Sequence, residues 1–195
     1  MAVTLNASTS SGLVQTADTS GTIELQSNGT TKLTVASTGA YGQLVQGTAQ
    51  TASGSSVDFT GIPSWVKRIT VTFTDISFAA AGSGRIRLGT SGGLVTTGYT
   101  TANTAITSTP TFGTITDGIA AIPTSAAASV ATGQFIIVNV TGNTWQSNGF
   151  STRAADSTTN MSAGYIALSG TLDRLSLVAT TSTFDAGTIN ILYEG

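Results

Sequence analysis

Between Arg68 and Thr74 the chain alternates without exception, with Ile69, Val71 and Phe73 on one face and Arg68, Thr70, Thr72 and Thr74 on the other. Successive side chains of an extended strand point to opposite faces, so this run predicts a half-buried strand of an antiparallel sheet. A shorter run of the same kind, Val57-Asp58-Phe59, precedes it across Gly61 and Pro63. Proline fixes φ and removes a backbone donor, which places Pro63 at a strand entry or corner and outside a central ladder. Trp65 is the largest apolar side chain nearby and is expected to plug the core between two sheets.

The remaining chain supports the same class. From about Gly47 onward, short alternating runs recur between turn residues: Arg85–Gly89, Leu94–Tyr99, Phe112–Ile115, Gln134–Thr141, Gly164–Leu168, Leu172–Thr180 and Thr188–Glu194. Gln134–Thr141 is the most apolar of these and is expected to be central. Gly142-Asn143 and Asn148-Gly149 read as turns on either side of Trp145, and Ser125–Ala131 as loop or a helical turn. Eight to ten short strands at hairpin-like spacing predict an all-β protein with a jelly-roll-like β-sandwich over residues 46–195. No fixed-period repeat supports a solenoid.

Residues 1–45 form a distinct N-terminal arm. Its first 21 residues are small and polar, but Ile23 and Leu25, then Leu33 and Val35, alternate about Asn28-Gly29. That is the pattern of a β-hairpin. All four aliphatic positions are odd-numbered, so opposing Leu25 with Leu33 and Ile23 with Val35 requires an odd loop. A three-residue loop over Asn28-Gly29-Thr30 satisfies this. Thr38–Gly42 then reads as a flexible joint leading to Leu44-Val45. Two strands are marginal alone in water, so Ile23, Leu25, Leu33 and Val35 are candidate partner-docking residues.

Composition narrows the chemistry. Charged residues make up 8% of the chain, against roughly 25% in an average soluble protein. With a net charge of −2 and only Lys67–Arg68 and Arg85/Arg87 clustered, there is no basic stripe for nucleic acid. No apolar run approaches the ~20 residues of a spanning helix, and the N-terminus lacks the charged and apolar regions of a signal peptide. The chain has no His and no Cys, which removes the commonest general base, the thiol nucleophile and the main transition-metal ligands. Its acids are scattered, and no calcium-loop or nucleophile-elbow pattern occurs. The reading is therefore non-enzymatic, with no catalytic residue, metal site or cofactor expected. Tyr99 and Trp145 lie beside glycine-containing turns and are candidate glycan contacts, weighed against packing at the edge of the core.

Three stretches carry a resemblance. Thr19–Val35 resembles the N-terminal hairpin module of bacteriophage tail-fibre and virion surface proteins. Val57–Val71 resembles the start, and Leu168–Leu172 with Phe184–Glu194 the end, of a β-sandwich recurring in phage structural proteins. The resemblance implies a homotrimer made in the host cytoplasm, located on the outer virion surface, whose arm docks on the particle. It implies a head decoration (cement) protein bound to the major capsid protein. The alternative is a distal tail-fibre or tailspike module, joined to tail proteins, that binds a host receptor or surface glycan. If the 195 residues are the entire product, little remains to form a long shaft, which favours decoration.

Overall fold

The computed structural model describes residues 23–27, 30–35, 44–127 and 129–195. The chain divides into two compact units, 1–42 and 43–195. In the first, strands β1 (Ile23–Ser27) and β2 (Thr30–Val35) pair antiparallel, with Ile23 opposite Val35 and Leu25 opposite Leu33. The aliphatic pairs are those expected, but parity is met differently. Ser27 faces Thr30 and Gln26 faces Thr31, so Lys32 is the odd residue of a bulge and Thr30 belongs to the strand. The joint expected over Thr38–Gly42 and the polar run 1–22 lie outside the described residues.

The second unit begins earlier than residue 46, because β3 (Leu44–Gln46) already pairs within it. It continues through β4 (Gln50–Thr51), β5 (Ser56–Thr60), β6 (Arg68–Phe78), β7 (Gly82–Thr90), β8 (Gly93–Leu94), β9 (Thr100–Ile106), β10 (Thr111–Ile115) and β11 (Ile119–Ser125). Then follow β12 (Ala131–Thr141), β13 (Thr144–Arg153), a 3-10 turn at Ala154–Asp156, β14 (Thr158–Ala167), β15 (Arg174–Ala179) and β16 (Phe184–Glu194). The large sheet runs β10-β9-β14-β13-β12-β6-β16-β3, with β4 also on β16. The small sheet runs β11-β7-β15-β5, with β8 on β7.

The connectivity reduces to a simple rule. Taken in chain order, β3/β4, β5, β6, β7, β11, β12, β15 and β16 change sheet at every step except from β7 to β11, which are neighbours in the small sheet. First pairs with last (β3/β4 with β16), and second with second-to-last (β5 with β15). This double Greek-key winding is a jelly roll, an all-β sandwich of two antiparallel sheets. Two excursions, β9–β10 and β13–β14, leave the winding and add four strands beyond β12. The large sheet therefore extends past the eight-stranded jelly roll.

The core follows the alternation. Ile69, Val71 and Phe73 of β6, Phe135 and Ile137 of β12, and Ile189 and Ile191 of β16 are buried against Ile86 and Leu88 of β7 and Leu175 and Leu177 of β15. Burying each such side chain contributes about 1.5–3 kcal/mol before conformational entropy is subtracted. Phe73 and Phe135 stack with centroids 6.3 Å apart. Pro63 sits in the turn before β6, where its carbonyl accepts from Val66 N–H. Pro123 lies in β11, the outer strand of the small sheet, where a missing donor costs least. Trp65 differs from expectation: it is only half-buried and packs on Tyr193 at 5.9 Å instead of filling the space between sheets.

Asn148-Gly149 also departs from the turn expected of it. Both residues lie inside β13, paired with Ile136 and Phe135. Gly149 is there for space, because the Phe135 ring lies over it and a Cβ would sit 2.5 Å from that ring. Between β11 and β12, Ser129 N–H bonds Ala126 C=O at 3.1 Å, a single turn.

Candidate binding surfaces of the extended sheet

The four added strands have an unusual division of polarity. On β13 and β14 the inward positions include Ser147, Ser151, Asn160 and Ser162, while Phe150, Met161 and Tyr165 point outward. The inward polar groups have a task. β11 is the last strand of the small sheet, so its outer carbonyls lack a ladder partner, and a bare buried carbonyl costs free energy. Ser151 Oγ donates to Ala121 C=O at 2.6 Å, Asn160 Nδ2 to Ala120 C=O at 3.0 Å, and Arg153 Nη1 to Thr124 C=O at 2.8 Å. The inner face of the extension thus caps the edge of the opposite sheet.

With hydrogen-bonding groups committed inward, the outer face carries the apolar residues. Cross-strand register sets Phe112, Thr104, Met161, Phe150 and Gln134 in one row. The next row is Thr114, Ala102, Ala163, Asn148 and Ile136. A third holds Thr100, Tyr165, Gln146 and Val138. Phe112 is 81% exposed, and Phe150 and Met161 are each 56% exposed. A shallow groove of about 460 Å³ runs beside Phe150 and Met161 over Ala102 and Ala163. None of these rows carries an acidic or basic side chain until Arg68 and Glu194, which pair at 2.9 Å beyond Val138.

A second concavity of about 350 Å³ opens where β9, β10 and the β13–β14 connection meet β11 and β7. Arg85 and Arg153 both line it, with Asn103, Thr111, Thr124 and Thr158 among its polar groups. Burial holds both guanidinium pKa values below their ordinary range, while Asp117 beside Arg85 and Asp156 beside Arg153 act in the opposite direction. Both remain cationic at neutral pH, since an arginine starts far above it.

The residues singled out from the sequence fall elsewhere. Tyr99 is 2% exposed, and its hydroxyl accepts from Leu88 N–H at 2.7 Å. Trp145 is 5% exposed and belongs to the core. Neither presents a ring face to a sugar. Ile23, Leu25, Leu33 and Val35 are placed by register on one face of the hairpin. Among the described residues, the exposed rings are Phe112, Phe150 and Tyr165. A sequence signal for them existed in the phase of β13, where Phe150 is out of step with Trp145, but it is legible only once the face holding Trp145 is known to be inward. Three of the isolated acids answer arginines: Asp117 pairs with Arg87 at 2.7 Å, Asp156 with Arg153 at 3.4 Å, and Asp173 with Arg174 at 3.0 Å. Among the described residues no cluster of His, Cys, Asp or Glu is grouped to hold a metal, and no helix is long and apolar enough to cross a membrane. No known protein family, curated protein or solved structure matches the chain.

Proposed function

We propose that this is a non-enzymatic virion surface protein of a bacteriophage, a homotrimeric head decoration protein. Its N-terminal hairpin grips the capsid and its jelly roll faces outward. The observation that carries the reading is the register of the hairpin, which puts Ile23, Leu25, Leu33 and Val35 on one face. A two-stranded sheet has no second layer of its own, so an aliphatic face of this kind needs a cover supplied from outside the hairpin. The resemblance of Thr19–Val35 to virion hairpin modules names the kind of surface that supplies it. A clamp that binds only the assembled shell stabilises that shell by mass action.

The test is co-sedimentation with assembled capsid shells of the virion that carries the protein. Removing residues 1–42, up to the start of the second unit, is expected to abolish binding while the sandwich stays folded. The double substitution Leu25→Asp, Leu33→Asp in the full chain is expected to weaken binding by roughly a hundredfold or more, from two buried leucines at about 1.5–3 kcal/mol each. Undiminished binding by both variants would overturn the arm's role.

A second reading, a distal tail module for a host receptor, draws on the uncharged outer rows of the extended sheet. Exposed aromatic and methionine side chains in a contiguous patch mark interaction sites more often than neutral surface. Adsorption to host cells that falls with Phe150→Ser and Met161→Ser, and is indifferent to the arm variants, would select it over decoration.

A further inference from the structure

We propose that the cavity holding Arg85 and Arg153 is a binding site for a carboxylate-bearing sugar residue. Asp117 is shared by two arginines: it accepts from Arg87 Nη2 at 2.7 Å, while Arg85 Nε lies 3.6 Å from its other carboxylate oxygen. Arg87 also donates to the Asp117 carbonyl at 2.6 Å, so its guanidinium is well occupied. Arg85 is left with one long hydrogen bond, Nη1 to Gly84 C=O at 3.4 Å. Two cations against one anion leave a net positive charge on this group.

Arg153 adds to it. The residue is only 6% exposed, and its bond to Thr124 C=O together with the 3.4 Å contact to Asp156 uses Nη1 alone. Asp156 is itself engaged by Ser129 Oγ at 2.7 and 2.8 Å. The Nε atoms of both Arg85 and Arg153 are buried with no hydrogen-bond partner within the protein. Buried charged donors without partners are costly, and most proteins do not retain them without a use. Both arginines line one cavity whose described lining includes no carboxylate, with Arg85 Nε turned toward Asp117 at 3.6 Å. Desolvation depresses both guanidinium pKa values, so an anion that paired with them would recover interaction energy already lost on folding.

The rest of the lining narrows the anion. Asn103, Thr111, Thr124 and Thr158 offer an amide and hydroxyls, and Ile115 and Pro123 offer apolar surface. Hydroxyl and amide groups match ring hydroxyls, and apolar walls match the C–H face of a sugar. The planar guanidinium is suited to a carboxylate, which accepts two parallel hydrogen bonds from it. A volume of about 350 Å³ lies at the small end of ligand sites, which start near roughly 300 Å³, and it suits one sugar residue. Neither Tyr99 nor Trp145 lines the cavity, and sugar binding there does not depend on what the arm grips.

The experiment is titration calorimetry and ligand-observed NMR on the full chain, using galacturonic acid and N-acetylneuraminic acid as probes. Galactose, the methyl ester of galacturonic acid and inorganic phosphate serve as comparisons. Either acidic sugar is expected to bind at least tenfold tighter than galactose, the ester or phosphate. Arg85→Gln is expected to weaken the acidic sugar on the order of tenfold to a hundredfold, the range for a lost hydrogen bond to a charged group. It leaves Asp117 paired with Arg87, so the fold is expected to survive. Thr111→Trp, at an exposed position of β10 on the cavity rim, blocks the site without touching a charge and is expected to abolish binding. Equal affinity for galactose and galacturonic acid, stronger binding of phosphate, no binding of either acid at tens of millimolar, or binding unaffected by both variants would each overturn the proposal.

Discussion

Replacing Gly149 with alanine is expected to lower the stability of the sandwich by roughly 3 kcal/mol, the upper range for overpacking a closed core. For a domain of this size that corresponds to a fall in Tm of about 6–12 °C. The sign is the informative part. Gly149 lies inside β13, where alanine normally improves on glycine by roughly 0.5–1 kcal/mol through the unfolded chain's lost freedom. Here an added Cβ would meet the Gln134 carbonyl and the Phe135 ring, the latter at 2.5 Å. Neither can yield easily: the carbonyl belongs to the β12 backbone, and Phe135 is fully buried and stacked on Phe73. Gly133 repeats the device one register step away, with the Phe73 ring 2.8 Å from where its Cβ would be. Gly170→Ala is the control, because its nearest atom stands at 3.6 Å, an ordinary contact. Thermal denaturation of the Gly149→Ala and Gly170→Ala variants beside the parent is the measurement. A Gly149→Ala protein as stable as the parent would mean that the aromatic does not lie over the strand in solution.

The second large effect centres on Tyr99 and appears at high pH. β11 begins at Ile119, opposite Ile86, and β8 pairs only with Gly89 and Thr90, so Leu88 lies in the gap between these two strands on that side of β7. The Tyr99 hydroxyl takes the missing place at Leu88, accepting from its N–H at 2.7 Å, and Val95 N–H bonds the Leu88 carbonyl at 2.9 Å. Tyr99→Phe leaves a buried N–H unpaired and is expected to cost about 1–3 kcal/mol. Burial, as the main cause, pushes the Tyr99 phenol up to about 12 from an ordinary value of 10.0; the hydrogen bond to Leu88 and the charge of Arg87 pull the other way, and Asp117 adds to the rise.

The direction of the pH effect follows from proton counts. Below pH 10 both folded and unfolded chains hold the phenolic proton, and this group adds no pH dependence. Between pH 10 and 12 the unfolded chain has lost it and the folded chain retains it, so stability falls by about 1.4 kcal/mol per pH unit. The loss levels off once the folded protein ionises as well. Urea denaturation from pH 9 to 12 is expected to show this slope in the parent and a shallower one in Tyr99→Phe. Equal slopes would assign the alkaline loss to other groups.

The all-β class, the central place of Gln134–Thr141 and the strand pairing within the arm could be read along the chain, because a period of two is a local property. Leu25 opposite Leu33 followed from parity alone. The loop did not, because a bulge at Lys32 restores parity as well as a third loop residue does. Asn148-Gly149 defeats a local reading for a related reason. As a dipeptide it is a strong turn signal, and only the Phe135 ring of a neighbouring strand explains a glycine held straight.

The binding surfaces were less legible than the fold. Alternation tells which residues share a face but not which face is covered. On β13, Trp145, Ser147, Ser151 and Arg153 stand on one side, and Gln146, Asn148 and Phe150 on the other. Hydrophobicity by itself does not separate the two sides, with a large aromatic on each. The choice is made by β11, whose unpaired edge carbonyls draw Ser151, Asn160 and Arg153 inward and leave Phe150 and Met161 outside. Arg85 and Arg153, 68 positions apart, line one cavity for the same reason. The sequence by itself therefore determined the all-β class, most of the alternating strands and the hairpin of the arm, because these depend on neighbours two residues away, while β9, β11 and β13 emerged only in the fold. Only the tertiary structure decided which faces meet water and which charges meet each other, because those depend on an unsatisfied strand edge brought in from the opposite sheet.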